Sequence, residues 1–164
     1  MAQIAVIMGS DSDWPIMEPG WKQLKDLGIE AEVLVASAHR TPDKVREYVQ
    51  SAPERGLKVI IAAAGAAAHL AGVIASFTTL PVIGVPISGS ALKGMDALLS
   101  TVQMPPGIPV ASMAIDGGKN AALFAASILA LNDEALAGRL AAFRQDQAEN
   151  VRSKNEALQN KINN

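Results

Sequence analysis

The chain has 164 residues, 49% of them hydrophobic and 18% charged, which is enough to bury the core of one domain and too apolar for a disordered polymer. Cysteine is absent, so a disulfide framework, a thiolate nucleophile and a thiolate metal site are all excluded. The net charge is −2 and the 14 basic residues are scattered. Nucleic acid needs a basic stripe that is not visible here, so an anionic ligand must be met by a local set of donors and the expected partner is a small molecule.

Met1 leads directly into the first apolar run, QIAVIM (3–8), with no charged leader before it. No run reaches the length of a membrane span, and the expected location is the cytoplasm. GSDSD (9–13) follows, with Asp13 placed to cap a helix that begins at Trp14-Pro15. Pro19-Gly20 falls inside that helix and should kink or shorten it, and Gly28 falls where it should end. The second run is IEAEVLV (29–35), followed by SAHR (37–40). Thr41 can then cap with Pro42 at the first helical position, and Gly56 marks a helix end. The third run, VIIAAA (59–64), leads into GAAAHLAG (65–72). The fourth, PVIGVP (81–86), leads into ISGSALKG (87–94), and the fifth, PVASMAI (109–115), into DGGKN (116–120).

None of these runs alternates cleanly between apolar and polar, as expected of strands covered on both faces. Strand–helix repetition predicts an α/β fold, a three-layer doubly wound parallel sheet. NAALFAASILAL (120–131) is apolar nearly all round, so it should be buried against its own sheet and against another subunit. From Asp133 onward, Leu136, Leu140 and Phe143 recur at helical spacing and then give way to a polar stretch, a solvated helix or frayed end. Residues 1–132 form the expected catalytic domain, and 133–164 a C-terminal helical extension of the same single domain.

Ligands of an open parallel sheet bind beyond the carboxyl ends of the strands. The glycines, hydroxyls, carboxylates and both histidines of the chain gather there. GSDSD offers helix N–H groups and the Ser10 and Ser12 hydroxyls to an anion, while Asp13 can accept from ribose hydroxyls; a plain capping turn would read the same way. In SAHR, Arg40 presents a planar fork for phosphate with Ser37 beside it; a surface arginine next to a cap is the simpler interpretation. His39 can touch the ligand, orient its neighbours or be structural. GAAAHLAG lets backbone approach a ligand closely and leaves His69 among methyl groups, where a histidine serves as a proton shuttle at neutral pH unless it is merely a satisfied core residue. There is no second histidine at metal spacing, no G-x-S-x-G elbow, no Walker A motif and no G-x-G-x-x-G after the first strand. The residues point to a phosphate-bearing small molecule, acid–base chemistry by one histidine, and no metal or nucleotide cofactor.

IMGSDSDW (7–14), SAHRTPDK (37–44), AAHLAG (67–72), VIGVPI (82–87), LKGMDALLSTVQMP (92–105) and NAALFAASILAL resemble the N5-carboxyaminoimidazole ribonucleotide mutase family of purine biosynthesis. The resemblance runs from about residue 3 to about residue 131. It implies a flavodoxin-like fold, a homo-octamer, no cofactor, and transfer of a carboxylate from the exocyclic nitrogen to C4 of an aminoimidazole ribonucleotide. It further implies a ribose-phosphate site at Ser10, Ser12, Asp13, Ser37 and Arg40. Gly65, Ala66, Ala67 and Leu70 would line the substrate, with His69 and His39 catalytic: His69 the acid–base and His39 close by. A transient contact with the upstream synthetase belongs to the same picture.

The chain departs from the family pattern at Ala63, Ala66 and Ala71, which stand where two glycines and a proline are usual. Extra methyls there would crowd the ligand or force a positive φ onto alanine. The loop at DGGKN is about two residues shorter than usual. A sister branch carboxylates aminoimidazole ribonucleotide directly and usually has bulkier polar residues before the histidine, whereas Ala66-Ala67 match the mutase type. A nucleotide-binding homologue that has lost turnover would share the same motifs. A flavin binder of this fold is disfavoured by the few aromatic residues.

Overall fold

A computed structural model describes residues 1–163. Strands β1 (Ile4–Met8), β2 (Ala31–Val35), β3 (Val59–Gly65), β4 (Val82–Ile87) and β5 (Ala111–Ser112) form one all-parallel sheet in the order β2-β1-β3-β4-β5. Parallel neighbours cannot be joined by hairpins, so helices cross over the faces. Helices α1 (Trp14–Asp26) and α5 (Gly118–Ala130) cover one face; α2 (Pro42–Gln50), α3 (Leu70–Ala75) and α4 (Met95–Val102) cover the other. Along β1, Ile4, Val6 and Met8 pack into the α1/α5 layer, and Ala5 and Ile7 into the α2/α3 layer. Both pleat faces are therefore apolar, which is why the runs lack polar alternation. The result is the expected three-layer, flavodoxin-like architecture.

Several local expectations are corrected. Pro19 does not shorten α1, which runs on through residue 26. It deletes only the bond to the carbonyl of Pro15, an exposed residue of the first turn where water can replace the lost partner. Gly28 closes α1 as expected: at φ +71° it lets Ile29 N–H reach back to Leu24 O at 2.8 Å. Gly56 does not end α2, which stops at Gln50 ahead of Pro53; it closes a further turn in which Leu57 N–H meets Ala52 O at 3.1 Å. Thr41 stands at the N-cap of α2 without capping it, because its hydroxyl is bonded to the backbone of Ser37.

The fifth strand shrinks to two residues, although Met113 N–H still reaches Gly84 O and Asp116 N–H reaches Pro86 O. Pro86 faces that edge and has no N–H to donate, so the ladder cannot continue on it. The C-terminal segment is α6 (Glu134–Ile162), capped by Asp133 Oδ1 accepting from Leu136 N–H at 2.9 Å. Leu136 is its only buried residue, and Arg139 Nε donates to Leu27 O at 2.8 Å to dock its first turns.

Helix α5 buries Ala121, Ala122, Ala125, Ala126 and Leu129 against α1 and the sheet, and leaves Phe124 on its outer side 42% exposed. Gly20 and Gly118 form the crossing point of α1 and α5. A Cβ on Gly20 would fall on the Gly118 carbonyl, and one on Gly118 would fall on the Ile16 carbonyl. Gly20→Ala should therefore destabilise the fold by about 1–3 kcal/mol, despite the better helix propensity of alanine. A urea-unfolding midpoint equal to or above that of wild type would show that the crossing has room to spare.

Candidate active site

The sheet order reverses direction between β1 and β3, and a cleft of about 420 Å³ opens beyond the carboxyl ends of the strands at that point. All eleven residues assigned to the site from sequence line it: Ser10, Ser12, Asp13, Ser37, His39, Arg40, Gly65, Ala66, Ala67, His69 and Leu70. Gly9, Ala38, Ala64, Ile87 and Gly89 line it too and were not assigned, although each sits in or next to a segment already placed at this edge. DGGKN does not reach the cleft. Its Asp116 Oδ1 instead accepts from Ser88 N–H at 2.9 Å, bracing the loop after β4.

The β1 loop is locked by reciprocal bonds. Ser10 Oγ accepts from Ser12 N–H at 3.3 Å and from Ser12 Oγ at 2.8 Å, while Asp13 Oδ2 accepts from Ser10 N–H at 3.1 Å. Asp13 thus caps this short turn, and makes no side-chain bond to α1. Burial holds its carboxyl above the usual carboxylate range; the Ser10 N–H bond pulls the other way, and the Asp11 charge adds to the rise.

In the β2 loop, Ser37 Oγ accepts from Arg40 N–H at 3.2 Å and from Arg40 Nε at 3.5 Å, and Arg40 Nη2 donates to Gly9 O at 3.2 Å. The guanidinium therefore bridges the first two loops. It has no ion-pair partner among the described residues, so its charge is available to an anion.

The β3 loop turns tightly, with Ala68 N–H bonded to Ala66 O and His69 N–H to Ala67 O. This puts Ala66 at φ +51°, the left-handed conformation foreseen for an alanine in place of glycine. Ala63 and Ala71 behave differently: both are buried in the core and neither lines the cleft. His69 is exposed, contrary to the expectation of a ring enclosed by methyls. Its partner is His39, whose Nε2 lies 2.8 Å from His69 Nδ1, with the rings nearly perpendicular at 83°. Nothing in the sequence signals that bond, because the two residues lie thirty positions apart on different loops. Among the described residues no three His, Asp or Glu side chains converge to hold a metal ion.

The 2-1-3-4-5 strand order and a polar cleft at its switch point define a flavodoxin-like α/β protein with a small-ligand site. The chain belongs to the AIR carboxylase family, whose model it matches over residues 3–150, past the point where the motif resemblance ended. It is 54% identical over 146 residues to the N5-carboxyaminoimidazole ribonucleotide mutase of Pyrococcus abyssi, covering 89% of this chain and 84% of that one. It is 48% identical over 159 residues to the mutase of Thermotoga maritima, covering 97% and 93%. The crystal structure of Treponema denticola PurE superposes with a TM-score of 0.84 at 29% identity, covering 94% of this chain and 97% of that one.

The β1 and β3 loops can each be tested by one substitution. Because the folded state raises the affinity of Asp13 for its proton, wild type should lose stability relative to Asp13→Asn as pH rises above about 4, the ordinary aspartate value. The Asn amide oxygen keeps the Ser10 N–H bond. Urea midpoints of both proteins between pH 3.5 and 7 test this, and a gap that moves the other way would mean the carboxylate is the favoured form. For the β3 loop, Ala66→Gly should raise stability by up to about 1 kcal/mol, relief of left-handed strain outweighing the added freedom of the unfolded chain. A lowered melting midpoint would refute it.

Proposed function

We propose that the chain is an N5-carboxyaminoimidazole ribonucleotide mutase of purine biosynthesis, an isomerase that moves the carboxylate from the exocyclic nitrogen to C4 of the ring. The observation that carries this reading is identity of about half the residues, over about nine-tenths of the chain, with relatives named as that mutase.

In this reading Arg40, Ser37 and Ser10 receive the phosphate, and Ser12 and Asp13 the ribose. Arg40 supports this with an unpaired charge held across two loops. His69 is the acid–base. It gives a proton to the exocyclic nitrogen as CO2 departs, then removes the C4 proton after C4 has attacked CO2, so one imidazole serves both steps. Gly65, Ala66, Ala67 and Leu70 form the floor on which the ring lies, where small side chains keep CO2 near C4.

Direct carboxylation of aminoimidazole ribonucleotide is the second reading, since the family carries the carboxylase name; the unhindered Ala66-Ala67 approach to His69 favours the mutase. A weakened nucleotide-binding homologue finds less support, because two of the three unusual alanines sit in the core rather than in the cleft.

The active form is a cytoplasmic homo-octamer. Leu92, just before α4, and Met95, Leu99 and Val102 along it stand exposed, and Leu99 shares a second depression with His69. A neighbouring copy seated there would cover apolar surface and close the open side of the histidine together. Delivery of the substrate by the upstream synthetase through a transient contact completes the proposal.

An ultraviolet assay with N5-carboxyaminoimidazole ribonucleotide generated in situ tests the function. Wild type should form the C4-carboxylated product without added bicarbonate, and His69→Asn should lose at least about 10²-fold in kcat while still binding the nucleotide. Product formation that depends on bicarbonate and starts from the uncarboxylated nucleotide would replace the mutase with the carboxylase.

A further inference from the structure

We propose that Thr41 is a positioning residue for the anion donors of the cleft: its hydroxyl fixes the backbone of Ser37, and through it the Ser37 hydroxyl and the Arg40 guanidinium. The inference rests on the reading of Ser37 and Arg40 as phosphate donors given above. Thr41 itself does not line the cleft.

The first turn of α2 breaks two local rules, and both breaks serve the same short stretch of backbone. Thr41 holds the N-cap position, where a threonine hydroxyl ordinarily accepts from an N–H of the first turn and stabilises the helix. Here it makes no such bond. It accepts from Ser37 N–H at 2.9 Å and donates to Ser37 O at 3.1 Å. Lys44 stands in the same first turn, where the helix dipole disfavours a cation, and its Nζ donates to Val35 O at 3.1 Å.

The sheet explains why this backbone needs partners. β2 is an edge strand, and Ala36 N–H points inward to Met8 O. The groups on either side of it, Val35 O and Ser37 N–H, face the open edge, where no strand can meet them. Thr41 is exposed, so water could serve a bare edge equally well. Water cannot fix the turn. With Thr41 N–H also bonded to Ser37 O at 2.9 Å, three bonds close residues 37–41 on themselves.

The donors hang from that turn. Ser37 Oγ accepts from Arg40 N–H at 3.2 Å and Arg40 Nε at 3.5 Å, and Arg40 Nη2 reaches Gly9 O at 3.2 Å. A shift of the Ser37 backbone therefore moves hydroxyl and guanidinium together against the β1 loop. Without the Thr41 hydroxyl the turn presents both donors correctly only part of the time, and apparent affinity falls by that fraction. A bound anion restores the arrangement, so the loss is felt in binding and not in turnover.

Thr41→Val keeps size and branching but removes both hydroxyl bonds; Thr41→Ser keeps them. In the full-length protein without substrate, the Ser37 amide should exchange with solvent at least about tenfold faster in Thr41→Val, and at nearly the wild-type rate in Thr41→Ser. Binding of inorganic phosphate, followed by the Arg40 Nε–H resonance, should weaken about tenfold in Thr41→Val and stay within about twofold of wild type in Thr41→Ser. In turnover, Thr41→Val should raise KM about tenfold with kcat within about twofold. Its melting midpoint should move by less than about 4 °C, because the side chain is exposed, so lost affinity is not lost fold. Faster exchange with unchanged phosphate affinity would reduce Thr41 to a cover for the sheet edge and overturn the proposal. Unchanged exchange in Thr41→Val, no rescue by Thr41→Ser, or a wild type that binds no phosphate at Arg40 overturns it too. A wild type that binds phosphate at Arg40 yet forms no C4-carboxylated product sinks the mutase reading alone.

Discussion

Two hydrogen bonds at the carboxyl end of β1 decide where the site is. Ala36 N–H donates to Met8 O and Gly9 N–H to Ala63 O, each at 2.9 Å. They continue a register in which Met8 lies opposite both Val35 and Ala63. β1 and β2 therefore leave the sheet at the same level and β3 two residues further on, so that Ser10, His39 and Ala66 follow neighbouring strand ends. Between β1 and β3 the register is stiff because both pleat faces are buried: slipping a strand by one residue would exchange its two faces between unlike helical layers. Apolar packing in the core thus sets the separation of polar groups it never touches.

The same economy of side-chain size runs through the molecule. Aromatics make up only 4% of the chain, and the helices approach one another over alanine and glycine, most closely where Gly20 meets Gly118. Strain is kept away from that core. The three non-glycine residues with positive φ among those described are Ala66, Lys93 and Asp116, in the loops after β3, β4 and β5. Left-handed backbone at non-glycine positions is thus confined to the edge that holds the cleft, where tightly turned loops must be held by their surroundings. Asp116 shows how: its backbone N–H is tied to Pro86 O and its carboxylate to Ser88 N–H.

Much of this was legible in the sequence because burial and turn chemistry are local. The five apolar runs, the glycine closing α1 and the gathering of polar residues after the strands all follow from periodicity and position. What escaped depended on context. Pro86 lies in β4, yet it shortens β5, because the missing N–H is felt by the neighbour. Pro19 looks like a breaker, but α1 tolerates it where the lost acceptor is exposed. The His39–His69 bond joins loops thirty residues apart, and His69 is exposed because small neighbours leave it open in the single chain. Family resemblance named these histidines as site residues without indicating that they touch.

The cleft keeps its two imidazoles, His39 and His69, in contact with each other and apart from any carboxylate partner among the described residues. The one carboxyl that does line the cleft, Asp13, is buried and pushed toward its neutral form, with an oxygen engaged by Ser10 N–H. Positive charge is concentrated at Arg40, whose guanidinium is held by Ser37 and Gly9. Fixed charge is thus held where the first two loops meet and the imidazoles meet across the second and third, so charged and proton-carrying groups occupy different parts of one cleft.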